Sequence, residues 1–214
     1  MTDDVWIDMY NADPRIVVMD GLRYMDYSSP EAWLISSEIT LRYIQKLFEE
    51  AKKFDPDWIV IDGSEEYVKI CEMVMRYRNN LSMTQGVQWT LWKERRLYIK
   101  NLFNTVVKSS KKGVIYTAYV GRQQKIVDGV VKDTKEQPKW VDIIKEQTHV
   151  TIRVRSRQGD KGRIYMATIE NSKWRAMKTG AQIDITIPEG TIPNCLERLG
   201  IPTVSTEPAE VEAN

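Results

Sequence analysis

The fold turns on the stretch Asp57-Trp58-Ile59-Val60-Ile61-Asp62-Gly63-Ser64-Glu65-Glu66. Trp58–Ile61 has the aromatic and β-branched composition of a strand. Its unbroken apolar character fits a strand covered on both faces, as in a parallel sheet. Asp62-Gly63 ends the run and two glutamates follow. The pattern predicts a strand that delivers carboxylates to a sheet rim, where oxygen donors suit a hard cation such as magnesium. The plainer roles are an aspartate supporting the strand exit and an acidic first turn complementing a helix dipole.

Outward from this stretch, the chain alternates strands and helices. Arg15–Gly21, with Ile16, Val17 and Val18, predicts a first strand ending in Asp20-Gly21. Ser29-Pro30 then reads as an N-cap followed by proline at the first helical position. Leu34, Leu41, Ile44, Leu47, Phe48 and Ala51 recur at helical spacing. Asp55-Pro56-Asp57 breaks that helix before the Trp58–Ile61 strand. Tyr67, Val68, Cys71, Val74 and Met75 predict a helix leaving the two glutamates. Leu91, Trp92, Ile99, Leu102, Phe103, Val106 and Val107 predict another over roughly 88–109. Val114–Tyr119 is the next strand. Strand, helix, strand, helix, strand with short links predicts a parallel sheet with crossover helices. Ligands of such sheets bind beyond the carboxyl ends of the strands, so Asp20, Asp62 and Thr117 converge if those strands are neighbours.

The second half changes character. Asp128-Gly129 between apolar runs predicts a hairpin, and a short helix is expected over roughly 138–146. Val150, Ile152 and Val154 alternate with Thr151, Arg153 and Arg155, and Arg163–Ile169 is the expected partner strand across Gln158-Gly159-Asp160. A short strand over Ile183–Ile187, a last helix over Ile192–Leu199 and an acidic tail from Thr203 complete the expectation.

Composition narrows the function classes. Net charge is +1, so the whole molecule is not a basic nucleic-acid binder, yet residues 145–178 carry nine Lys/Arg against three acids. His149 is the one histidine, which excludes a zinc site built on histidines and most histidine-dependent nucleophilic catalysis. Cys71 and Cys195 lie far apart and form no ligand or disulfide pattern, as expected of core thiols in a reducing cytoplasm. No apolar run reaches the length of a membrane span.

From Asp57 to Thr186 the chain resembles the RecA-like ATPases of phages and archaeal viruses, relatives of RecA and RadA. Trp58–Glu66 is similar to their Walker B strand, which ends in aspartate with a glutamate four residues later, here Glu66. Gly113-Val114-Ile115-Tyr116-Thr117-Ala118-Tyr119 resembles their next core strand, with Tyr119 in place of a histidine. Glu170-Asn171-Ser172-Lys173-Trp174-Arg175 fits the closing segment. The resemblance implies an α/β, RecA-like fold, a mostly parallel sheet flanked by helices, with antiparallel strands in the C-terminal half. It implies ATP and Mg2+ as cofactors, with Asp62 on the metal. Glu66 or Glu65 would orient water and Thr117 would contact phosphate or water. Lys173 and Arg175, with Arg122, would approach phosphate across a subunit boundary. It also implies a homo-oligomer acting on DNA in recombination or replication, in a host cytoplasm if the source is viral.

The matching phosphate loop, G-x-x-x-x-G-K-[ST], is missing: none of the eleven glycines is followed by lysine. Fourteen residues precede Arg15, where the family has its first strand, phosphate loop and first helix. The expectation is an N-terminally incomplete core over 1–202, a disordered tail over 203–214, weak ATP binding and little turnover unless a partner chain supplies the loop.

Two other functions compete. A non-enzymatic nucleic-acid-binding accessory protein would use Arg153, Arg155, Arg157, Lys161 and Arg163 on phosphates of DNA, single-stranded by preference, with Trp174 and Tyr165 stacking bases. Outward arginines on a half-exposed sheet are the structural alternative. A PD-(D/E)xK nuclease would need an acid-x-Lys strand after Asp57 or Asp62. Glu50-Ala51-Lys52 falls on a helix and Asp133-Thr134-Lys135 in an expected loop.

Overall fold

The computed structural model describes residues 14–127, 130–138, 142–160, 162–175 and 177–186. The chain is mixed α/β and divides into two compact units, Met1–Ile143 and Ile144–Asn214.

In the first unit, α1 spans Pro30–Ala51 and a 3-10 turn covers Lys52–Phe54. Ser29 is extended and its hydroxyl accepts from the Ala32 amide at 3.0 Å, with Pro30 behind it. The cap satisfies one orphan amide and fixes the helix start. β1 (Trp58–Ile61) runs into α2 (Ser64–Arg78), α3 follows over Trp89–Val107, and β2 (Gly113–Tyr116) pairs with β1 in parallel, Trp58 opposite Gly113 and Ile61 opposite Tyr116. A Cβ on Gly113 would lie 2.9 Å from the Trp58 ring, so glycine lets the two strands start side by side. β3 (Val120–Val127) and β4 (Val130–Pro138) form an antiparallel hairpin. Its ladder closes at Val127 and Val130 around the expected Asp128-Gly129 turn, which lies outside the described residues.

The predicted first strand is not formed. Ile16–Asp20 has no regular structure, and Ile16, Val17 and Val18 are exposed. Strand propensity yields where no ladder partner is present among the described residues. The Asp20 carboxylate instead accepts from the Leu22 amide at 2.9 Å, turning the chain toward α1. The parallel sheet described is therefore a two-stranded pair, and the remaining strands are antiparallel.

α2 packs against both α1 and α3. Leu41, Ile44 and Phe48, then Cys71, Val74 and Met75, then Ile99, Leu102 and Phe103 bury one face of each helix. Arg78 ties all three together. Its guanidinium makes two hydrogen bonds, 2.9 and 2.8 Å, to the buried Glu38 carboxylate of α1 and one of 3.0 Å to Tyr98 of α3. Glu72 accepts from Arg76 at 3.2 Å and from Arg95 of α3 at 2.8 Å. Arg76 also donates to the carbonyls of Ser82 and Gln85, holding the α2–α3 connection.

The helix α4 (Asp142–Gln147) leads into the second unit, a three-stranded antiparallel sheet of β5 (Val150–Gly159), β6 (Gly162–Ser172) and β7 (Gln182–Asp184). Ala167, Ile169 and Met177 form its core, with Val150, Ile152, Ala181, Ile183 and Ile185 against it. The expected Ile192–Leu199 helix and the tail lie outside the described residues.

The Arg78 guanidinium holds the Glu38 carboxyl below the usual carboxylate range. A depressed carboxyl contributes stability that is fully present above its unfolded value and is lost as pH falls through the folded value. Glu38→Gln should therefore cost about 2 kcal/mol at pH 7, below the ~3–5 kcal/mol of a fully buried pair, because Arg78 keeps 41% side-chain exposure. Urea titrations of the two proteins should converge as pH falls below the ordinary carboxyl value of 4.5 and through the depressed folded value.

Candidate functional site

The rim of the parallel pair is built around Thr117, the residue after β2. Its amide donates to the Ile61 carbonyl at 3.0 Å, continuing the ladder one step past the strands. Its hydroxyl donates to an Asp62 carboxylate oxygen and accepts from the Gly63 amide at 2.9 Å. Its carbonyl accepts from the Ser64 amide at 2.9 Å and from the Ser64 hydroxyl at 2.8 Å. Gly63 makes this possible by adopting a left-handed conformation, φ 68°, that turns the strand into α2.

Of the residues expected to converge with Asp62, Thr117 reaches its carboxylate, and the acids of the rim have different settings. Asp62 is exposed. Glu65 is buried: one oxygen accepts from the Tyr119 amide at 3.3 Å and the other has no hydrogen-bond partner. Glu66 is partly exposed and ion-paired to Lys69 one turn along α2. Tyr27 also lies within its field, burial and the Glu66 charge pushing the phenol up. Asp20 ends no strand, but Gly21 lies against the Tyr67 hydroxyl. Burial, then the Asp20 charge, push the Tyr67 phenol up to about 12.

This geometry limits what the rim can hold. A helix N-terminus binds phosphate through free leading amides, and here those of Gly63 and Ser64 are occupied by Thr117. Magnesium takes one or two protein carboxylates and completes its shell with water and phosphate. Asp62 supplies one exposed carboxylate, Glu66 is engaged by Lys69, and among the described residues no three His, Cys, Asp or Glu gather as a metal site. This donor set, one exposed carboxylate, does not fit a resident metal.

Of the basic residues expected near phosphate, Lys173 and Arg175 lie in the second unit. The Lys173 ammonium donates to the Glu146 carbonyl and Arg175 is exposed. Arg122 is in β3, paired with Glu136 in the ladder. The β5–β6 register separates the expected arginine cluster. Arg153, Arg155 and Arg157 stand opposite Thr168, Met166 and Ile164 and share one face. Arg163 stands opposite Gln158, and Tyr165 opposite Ser156, on the other face. Lys161 lies outside the described residues. Arg153 is paired with Glu170, which a bulge between Thr151 and Ile152 leaves without a ladder partner. A bulge of this kind has no signal in the alternation of apolar residues.

No family model, curated protein or solved structure matches this chain. No helix among the described residues is long and apolar enough to cross a membrane.

Thr117→Val keeps the shape and removes the hydroxyl from the Asp62 and Gly63 contacts. Stability should fall by about 1–3 kcal/mol, because the Gly63 amide is left without its acceptor. Thr117→Ser should recover most of that loss in the same urea titration.

Proposed function

We propose that this chain is a non-hydrolysing nucleic-acid-binding protein, related in its α/β unit to the RecA-like ATPases and acting on DNA in recombination or replication. The single observation that carries the binding function is the row Arg153, Arg155, Arg157 on one face of β5. Alternate residues of an antiparallel strand stand about 6.8 Å apart, and successive phosphates of a stacked nucleic-acid strand are about 3.4 Å apart along its axis. Such a regular row of cations suits a phosphate backbone running along the strand. Arg153 is fixed by Glu170 on the sheet, while Arg155 and Arg157 are exposed further along.

The non-hydrolytic half of the proposal is supported by the rim. Thr117 occupies the leading amides of α2, Lys69 engages Glu66, and no glycine in the sequence is followed by lysine. The exposed Asp62 carboxylate supports a second reading, in which the rim takes a magnesium–nucleotide weakly without turning it over. Action on DNA in recombination or replication, and assembly into an oligomer, rest on the resemblance of Trp58–Glu66 and Gly113–Tyr119.

Each phosphate neutralised on a single strand contributes about −0.7 to the slope of log affinity against log salt. Arg155→Ala/Arg157→Ala should weaken binding to a single-stranded oligonucleotide and make that slope shallower by about 1.4 in fluorescence anisotropy. An unchanged slope overturns the β5 interface. Phosphate release from ATP with magnesium should be equal for the wild type and Asp62→Ala. A turnover abolished by Asp62→Ala or Glu66→Ala overturns the non-hydrolytic reading.

A further inference from the structure

The helix α3 carries a second surface in the other unit. Its sequence, Trp89-Thr90-Leu91-Trp92-Lys93-Glu94-Arg95-Arg96-Leu97-Tyr98-Ile99-Lys100, mixes charges of both signs. At about 100° per residue, Trp89, Lys93, Arg96 and Lys100 fall within an arc of about 60°, along some 16 Å of axis. All four are exposed. Trp92 and Arg95 lie off that arc, as does Glu94, the one acid of α3, which accepts from Asn79 and Tyr98. The exposed arc therefore carries three cations and no carboxylate of its own helix. Trp89 is 73% exposed, and the Lys93 ammonium lies 5.4 Å from its ring centroid. That contact restrains an indole whose exposed surface has no protein cover.

We propose that this arc of α3 binds single-stranded nucleic acid, Trp89 stacking on a base and Lys93 and Lys100 following the phosphates. Flexible aromatic stacking beside a line of cations is how single strands are held without sequence preference, and the charge of the arc is complementary to a polyanion. An interfacial membrane helix needs a broad apolar face, whereas Leu97 and Val107, ten residues apart, are the large apolar residues of α3 exposed besides Trp89. The inference shares the class of polymer with the function proposed above but not its location.

The test is anisotropy of a labelled thirty-nucleotide oligo-dT with the full chain between about 50 and 200 mM salt, the range over which counterion release is read. Trp89→Ala should weaken binding about tenfold or more, and Trp89→Phe should recover part of the loss. Lys93→Gln/Lys100→Gln should make the salt slope shallower by about 1.4. Thermal melts should be unchanged, since the substituted side chains are exposed. Binding that survives Arg155→Ala/Arg157→Ala but falls in Trp89→Ala sustains α3 alone. The reverse pattern overturns α3 and leaves the β5 interface standing. Vesicles of anionic phospholipid that sediment the wild type but not Trp89→Ala, with oligo-dT binding equal in both, assign the arc to a membrane and overturn the inference.

Discussion

Thr117 is the constraint on which the first unit depends. Two parallel strands cannot be joined by a tight turn, and their rim is open until something closes it. Here one residue does so. Its amide extends the ladder to Ile61, its hydroxyl bridges Asp62 and the Gly63 amide, and its carbonyl receives the Ser64 amide and hydroxyl. The direction of α2 follows, and with it the burial of Glu65 on one side and the outward position of Asp62 on the other. The same bonds that stabilise the rim occupy the Gly63 and Ser64 amides. The rim thereby serves as a structural joint between β2 and α2.

The three helices solve a different problem, since their contacts include charged groups with little access to water. Glu38 and Glu72 are each met by two arginines, and Arg78 and Arg95 reach across from one helix to another. Paired charges with filled hydrogen-bonding capacity are tolerated where unpaired ones would be costly. Arg76 also holds the carbonyls of Ser82 and Gln85 in the connection into α3.

Much of this was legible. Ser29-Pro30 specified the start of α1 by cap chemistry, the apolar spacing specified all three helices, and the Trp58–Ile61 run with Val114–Tyr119 specified the parallel pair, whose second strand runs Gly113–Tyr116. Other parts were not, for identifiable reasons. Ile16-Val17-Val18 has strand propensity, but propensity does not provide a neighbouring ladder, and those residues are exposed. Arg163 was grouped with Arg153, Arg155 and Arg157 because they are close in sequence. The face on which each lies depends on cross-strand register, and a hairpin's register places Arg163 opposite Gln158. At the rim, the types Asp62, Glu65, Glu66 and Thr117 were all visible. The Glu66–Lys69 pair follows from three-residue helical spacing, but that Thr117 would face the Gly63 and Ser64 amides depends on where the strands end relative to one another.

Charge is the clearest case of geometry sorting what composition averages. A net charge of +1 describes a neutral chain, and Lys93-Glu94-Arg95-Arg96 describes a mixed run. Helical phase sends Glu94 toward Asn79 and Tyr98, and Arg95 toward Glu72, leaving Lys93 and Arg96 on the exposed arc. On β5, the two-residue period collects arginines on one face, and the bulge at Thr151/Ile152 returns one carboxylate, Glu170, to Arg153. In each unit some of the acids, Glu72 and Glu94 in the first and Glu170 in the second, are engaged by partners within the fold. The positive surface is what secondary-structure periodicity leaves outside, and a polyanion responds to that local field over about a Debye length rather than to the sum over the chain.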